Sequence, residues 1–324
     1  MSQATQAALS ALDSGLTQRA IDIARQAAQG RDVDALVLLA HWRLIGSPLS
    51  RDLSQARLLL RHAAQLGDAG AALTEAALCA NGTGANADWP RAMELLRQEA
   101  ARAPGDARTH LALLDAMGLD AHGMPNTLPP PTVLSPKSNV RLWPALLSKE
   151  ECAHLATSVL DLLEPSMVAD PRTGRQIAHP IRRSSVAVIG PTRETLPIQA
   201  IERRIAAATA THVAQGEPLA VLHYAPGQEY LPHLDTLPHE PNQRIATVLI
   251  YLNDGYLGGE THFPELDVTV AGRLGDVLAF DNVKPDGSPD PASRHAGLPI
   301  QRGAKWLATR WIRARPLDVW APRG

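Results

Sequence analysis

The chain has 324 residues, a formal net charge of −2 and two cysteines, Cys79 and Cys152. That length accommodates about two domains and a sizeable core. Near-neutral charge without a long basic run gives no electrostatic support for a nucleic-acid or anionic-membrane partner. No apolar run approaches the ~18 residues of a membrane span. The start, "MSQATQAALSALDSG", lacks a basic leader followed by an apolar stretch. Two cysteines make no disulfide framework, so a reducing, cytoplasmic setting is expected.

Residues 1–120 are rich in alanine and leucine, with apolar positions at helical spacing. They also repeat. "AIDIARQAAQG" (20–30), "ARLLLRHAAQL" (56–66) and "AMELLRQEAAR" (92–102) are offset by 36, and Gly46/Gly82 and Asp52/Asp88 match at the same offset. Such a period predicts stacked helix pairs, each burying its apolar face on the next. Residues 121–139, "AHGMPNTLPPPTVLSPKSN", hold five prolines and read as a linker. In "LLSKEECAHLATSVLDLL", Ser148 and Glu151 form the capping-box pattern of an amphipathic helix. A second helix is predicted over 198–211. The loop 164–180, without periodicity, reads either as a lid or as a plain surface loop.

From residue 219 onward the pattern changes to short β-like segments, "LAVLHY", "RIATVLIYLN", "VTVAG", "DVLAF" and "WLATRWIR", punctuated by Gly, Pro and Asp. Strands preceded by helices predict a small barrel or jelly-roll. Within it, "HYAPGQEYLPHLDT" places His233 and Asp235 two residues apart. Twelve histidines among 33 acidic residues in 324 give about one His-x-Asp/Glu by chance, so the pair needs its surroundings. Residues i and i+2 of a strand share a side, and a third ligand would complete a two-histidine, one-carboxylate face with open metal positions. His239, His262 and His295 are the candidates. Gly258 and Gly259 mark a turn, Glu260, Asp276 and Asp281 read as turn residues, and Phe263, Phe280, Trp306 and Trp311 as core.

Two resemblances sharpen this. The segment "LLRHAAQLGDAGAALTEAALCANGTG" resembles Sel-one-like repeats, relatives of tetratricopeptide repeats, which implies a scaffold for a protein partner. From about Val140 to Pro316 the chain resembles the Fe(II)/2-oxoglutarate dioxygenase domain of the prolyl 4-hydroxylase type. The residues that carry it are "LLSKEEC", "LEPSMV", Arg182-x-Ser184, "YAPGQEYLPHLD", "RIATVLIYLN", "GGETHFP", "GDVLAF" and "SRHAGLPIQRGAKWLATRWIR". The implied architecture is a two-domain α+β chain: a helix-pair solenoid (1–120), the proline-rich linker (121–139), and a double-stranded β-helix, or jelly-roll, braced by helices (140–324).

The second resemblance also implies roles. His233, Asp235 and His295 bind Fe(II), and Lys305 pairs with the distal carboxylate of 2-oxoglutarate. Tyr224 and Thr247 lie near that cosubstrate, and Arg182 and Ser184 contact substrate. Dioxygen is the other cosubstrate and ascorbate a reductant. The implied substrate is a prolyl residue in a peptide or protein. Two departures count against proline: the metal motif reads His233-Leu234-Asp235-Thr236 without flanking aromatics, and Val188 stands where the family tends to carry tryptophan. A free amino acid or other small metabolite is the alternative substrate, and an interaction protein without turnover the third reading.

Overall fold

The computed structural model describes residues 1–169, 176–178 and 181–320, in two compact units: Met1–Asn126 with Thr192–Ala200, and Thr127–Pro191 with Ile201–Gly324. Among the described residues no helix is long and apolar enough to cross a membrane.

The first unit is built on α1 (Gln3–Asp13), α2 (Thr17–Gln29), α3 (Val33–Ile45), α4 (Leu53–Gln65), α5 (Ala69–Asn81), α6 (Trp89–Arg102) and α7 (Asp106–Ala116). The 36-residue period appears as α3 superposing in number on α5, and α2 on α4. Gly46 and Gly82 end α3 and α5 at φ 82° and 79°, a left-handed turn that glycine enters without a Cβ clash. Asp52 and Asp88 open α4 and α6, accepting hydrogen bonds from the Gln55 and Arg91 amides at 2.9 Å each. Asp32 and Asp68 cap α3 and α5 in the same way. Alanines 20, 24, 35, 40, 56, 63, 76, 80 and 92 are buried, so small side chains let the helices pack closely. A buried Glu75 accepts from Arg57 at 3.0 and 3.1 Å and from Arg61 at 2.9 Å.

The second unit continues with β1 (Thr132–Ser135), β2 (Val140–Trp143), α8 (Lys149–Thr157), β3 (Glu164–Pro165), β4 (Met167–Ala169), β5 (Gln176–Ala178), β6 (Ser185–Val188) and α9 (Leu196–Thr209), of which residues 201–209 fall in this unit. The stretch read as a linker therefore contributes a strand. The lid-or-loop stretch 164–180 falls partly outside the described residues. Then come β7 (Ala220–Tyr224), β8 (Tyr230–His233), β9 (Arg244–Tyr251), β10 (Leu257–Gly258), β11 (Thr261–Phe263), β12 (Val268–Val270), β13 (Val277–Asp281), β14 (His295–Gly297), β15 (Ile300–Arg302) and β16 (Lys305–Arg313).

Twelve of these strands form an eight-stranded sheet, β1-β2-β13-β9-β16-β7-β6-β3, and a four-stranded sheet, β12-β11-β14-β8; the others pair as β4-β5 and β10-β15. All their pairings are antiparallel. That is the jelly-roll expected from alternating, turn-punctuated segments. Its core holds Tyr251, Phe263, Leu278 and Phe280 with Val140, Leu249 and Leu307. Buried ion pairs tie the two helices to each other and to the large sheet. Arg204 on α9 donates to both carboxylate oxygens of Glu151 on α8 at 2.8 Å, and Arg310 on β16 pairs with Glu202 on α9. Ser148 and Glu151 close the capping box at the start of α8.

Candidate metal centre and cosubstrate cavity

His233 ends β8, and His295 opens β14 directly opposite it in the ladder. Asp235 lies two residues beyond His233, just past the end of the strand, so strand alternation is not what aims it. The loop does this instead. One ligand atom from each of the three residues lies within 4.8 Å of the others. Nε2 of His233 is 3.5 Å from one Asp235 oxygen, and Nε2 of His295 is 3.8 Å from the other. The imidazoles are aimed by their backbones. Nδ1 of His233 bonds the Leu231 carbonyl at 2.9 Å, and Nδ1 of His295 bonds the Ser293 carbonyl at 3.0 Å. A carbonyl only accepts, so each Nδ1 carries the proton and each Nε2 presents a lone pair.

Electrostatics agrees with a ligand set. Burial pushes His295 down to about 4, against a smaller opposing pull from the Asp235 charge, so its ring is neutral near pH 7. Burial alone would raise Asp235. Its contacts with His233, His295 and the Thr247 hydroxyl instead hold it well below the usual carboxylate range. Two neutral imidazole nitrogens and one carboxylate fit a divalent ion such as Fe(II) and leave coordination positions open. His239 sits in the loop after β8 at φ 59°, and Nδ1 of His262 is engaged with Thr269. Neither joins the cluster.

The three residues edge a cavity that Lys305, Tyr224, Tyr230, Arg182 and Trp311 also line. Lys305 is 3% exposed. Its ammonium donates to the Gly259 carbonyl at 2.6 Å and sits 5.1 Å from the Tyr251 ring centre. Burial lowers it to about 8, partly offset by the Glu260 charge. No carboxylate forms an ion pair with it among the described residues. A buried cation in this state suits an anionic group of a ligand. Glycine is required at 259: φ is 72°, and a Cβ there would lie 2.3 Å from the Ile300 side chain.

The other expected site residues take differing places. Tyr224 lies opposite Lys305 across β7 and β16 and lines the cavity. Burial raises its hydroxyl above the ordinary tyrosine range, so it serves as a neutral donor. Ser184 is buried and its hydroxyl shares a 2.9 Å hydrogen bond with that of Ser166. Arg182 bridges to Tyr230 in the backbone, with its guanidinium 5.7 Å from that ring. The Thr247 hydroxyl donates to Asp235 at 2.5 Å and accepts from Asn282 at 2.9 Å, so it holds the carboxylate.

Trp311, expected in the core, is half-buried and lines the cavity, with the Arg244 guanidinium 3.9 Å over its ring. Alternation along β16 puts positions 305, 307, 309 and 311 on one side, and that signal was available in the sequence. Tyr230 and Asn282 were also missed. Tyr230 stacks on His233 with ring centres 3.5 Å apart, so aromatic surface reaches the cavity although Leu234 and Thr236 flank the motif and Val188 is exposed.

Residues 219–313 match the family model described as the 2OG-Fe(II) oxygenase superfamily. The probable prolyl 4-hydroxylase 10 of Arabidopsis thaliana is 36% identical over 211 residues, covering 58% of this chain and 73% of that protein. A viral collagen prolyl hydroxylase from Paramecium Bursaria Chlorella virus-1, solved with 2OG, aligns at 26% identity with TM-score 0.44, covering 54% of this chain and 96% of that one. A Sel1 repeat protein from Oxalobacter formigenes aligns at 21% identity with TM-score 0.31, covering 34% of this chain and 85% of that one. On the extent and identity of the Arabidopsis match, this chain belongs to the prolyl 4-hydroxylase family of 2OG-Fe(II) oxygenases.

Proposed function

We propose that the chain hydroxylates a prolyl residue in a peptide or protein, using Fe(II), 2-oxoglutarate and dioxygen. His233, Asp235 and His295 would hold the iron, and Lys305 would pair with the distal carboxylate of 2-oxoglutarate. The observation that carries this reading is that the His-Asp-His cluster and a buried lysine line one cavity. Bound there, iron and 2-oxoglutarate supply an oxidative decarboxylation that yields succinate and carbon dioxide and puts one oxygen atom into a substrate C–H bond.

The chain's own residues do the rest. The Leu231 and Ser293 carbonyls fix the imidazoles in the ligating tautomer. Lys305 supplies a point charge already stripped of water. Tyr224 offers a neutral hydroxyl beside it. Leu222, Leu249, Ile300 and Leu307 line the same cavity and exclude water. Tyr230 and Trp311 supply the aromatic faces against which a pyrrolidine ring packs. The helical repeats would recruit the target, and the two free, buried cysteines suit a reducing cytoplasm.

The test is incubation of the full chain with Fe(II), ascorbate, 2-oxoglutarate and proline-containing peptides. Succinate should form, and a peptide should gain one oxygen on proline. Succinate formation with a gain of one oxygen on free amino acids only would reassign the substrate. No succinate with any substrate pool would overturn the reading.

A further inference from the structure

Asp235 is joined to the large sheet by a two-step polar relay. Thr247, on β9, donates its hydroxyl proton to the Asp235 carboxylate at 2.5 Å. Asn282, just past the end of β13, donates from its side-chain amide to the Thr247 oxygen at 2.9 Å. Both Thr247 and Asn282 are fully buried. The polarity follows from the carboxylate. An ionised carboxylate only accepts, so Thr247 spends its single proton on Asp235 and can only accept elsewhere. The amide NH₂ is then the end of Asn282 that must face it.

Two further features single out Asn282. Its backbone is pinned on both sides: the amide donates to the Ile245 carbonyl at 2.8 Å, and the carbonyl accepts from Asp290 at 2.9 Å. Its side-chain oxygen, by contrast, is buried with no hydrogen-bond partner. An unsatisfied buried acceptor costs stability, so folding alone does not favour an asparagine here over a leucine of similar size.

We infer that Asn282 is a positioning residue for the metal centre: acting through the Thr247 hydroxyl, its amide fixes the rotation of the Asp235 carboxylate. This rests on the reading of His233, Asp235 and His295 as metal ligands. Residues that hold a ligand in place typically change metal affinity by about 10- to 100-fold when removed. The relay also joins the two sheets, because Thr247 and Asn282 belong to the large sheet and its rim while Asp235 follows a strand of the small one.

The experiment titrates the metal-free full chain with Mn(II), a redox-stable probe, by calorimetry. It compares wild type with Asn282→Leu, Asn282→Asp, Thr247→Val, the Asn282→Leu/Thr247→Val double variant and Asp235→Ala. Asn282→Leu is expected to weaken Mn(II) binding about tenfold or more, while its metal-free thermal midpoint stays at or above that of wild type. The double variant should bind no more weakly than Thr247→Val alone, because Asn282 acts only through that hydroxyl. Should Asn282→Leu not fold, Asn282→Asp, which keeps the size and loses the donor, carries the test.

Asn282 variants that bind Mn(II) within twofold of wild type would overturn the inference. So would losses that multiply in the double variant. If wild type fails to bind Mn(II), or Asp235→Ala binds as tightly as wild type, the ligand assignment itself fails, and that outcome is distinct from the first.

Discussion

His233 and His295 face each other across one antiparallel pair, β8 against β14, with ring centres 4.3 Å apart and planes tilted by 55°. Sixty-two positions of chain separate them, and a single register brings them together. Replacing His295 with alanine removes one ligating nitrogen without touching the ladder's backbone bonds. Iron binding should fall by more than the ~100-fold upper range seen for supporting residues, with a near-wild-type circular dichroism spectrum. Anaerobic Fe(II) titration checks the first and spectroscopy the second.

Lys305 leads to a pH prediction with two opposite signs. Burial sets its folded value at about 8, below the ordinary 10.5. Between these values the unfolded chain holds the proton that the folded chain has lost, so the Lys305 contribution to stability rises with pH across that window. On the proposed pairing, 2-oxoglutarate would bind only the ammonium form, so affinity should fall above pH 8, by up to about tenfold per pH unit. Urea midpoints and cosubstrate titrations from pH 7 to 10 separate the trends. Affinity that stays flat across this range would count against the pairing.

Removing the charge altogether is a stronger perturbation. Lys305→Ala should cost about 2–5 kcal/mol of 2-oxoglutarate binding, as for one partner of a buried charge pair, which is roughly 30-fold or more. Fe(II) affinity without cosubstrate should change little. Lys305→Arg should not restore binding, since a planar guanidinium cannot replace a compact ammonium beside the Gly259 carbonyl. Parallel loss of metal and cosubstrate affinity in Lys305→Ala would argue for collapse of the cavity instead.

In the helical unit, Glu75 is the shared acceptor for Arg57 and Arg61. Glu75→Ala leaves Arg57 buried without its carboxylate and should destabilise that unit by about 3–5 kcal/mol. Arg61→Ala, half-exposed at 49%, should cost under about 1 kcal/mol. Chemical denaturation of both variants measures the contrast.

The two repeat glycines separate strain from crowding. At Gly46 a Cβ would sit no nearer than 3.4 Å to Arg51, whereas at Gly82 it would lie 2.8 Å from the Ala87 amide nitrogen. Gly46→Ala should therefore cost only the left-handed penalty, about 1–2 kcal/mol. Gly82→Ala should cost visibly more, because backbone has to move. Equal thermal shifts would show that the Ala87 segment yields freely.

Much of this was legible in the sequence, for reasons that differ by element. The helix pairs were readable because Gly and Asp recur where a left-handed cap and an N-cap are needed, and those demands are local. The strands were readable from turn punctuation and alternation. The third metal ligand was not readable from spacing, since His239, His262 and His295 were equal candidates until a resemblance or a ladder register chose among them. The hydrogen-bond partners of Thr247 and Ser184 were not readable. Their hydroxyls answer to Asp235, Asn282 and Ser166, and partners that far apart along the chain leave no local pattern. Asn282 read as one more polar residue in "FDNVKP" for the same reason.

His233 and His295 stand on the four-stranded layer, while Lys305 stands on the eight-stranded one. What sets the gauge between them is therefore neither ladder but the filling of the roll. Phe263 and Phe280 meet edge to face at 5.0 Å, and both rings lie within 5.6 Å of the His295 ring. On the proposed reading, 2-oxoglutarate would span that gauge between the His-Asp-His cluster and the Lys305 ammonium. Loosening the aromatic filling would thus detune recognition of the diacid well before the roll came apart.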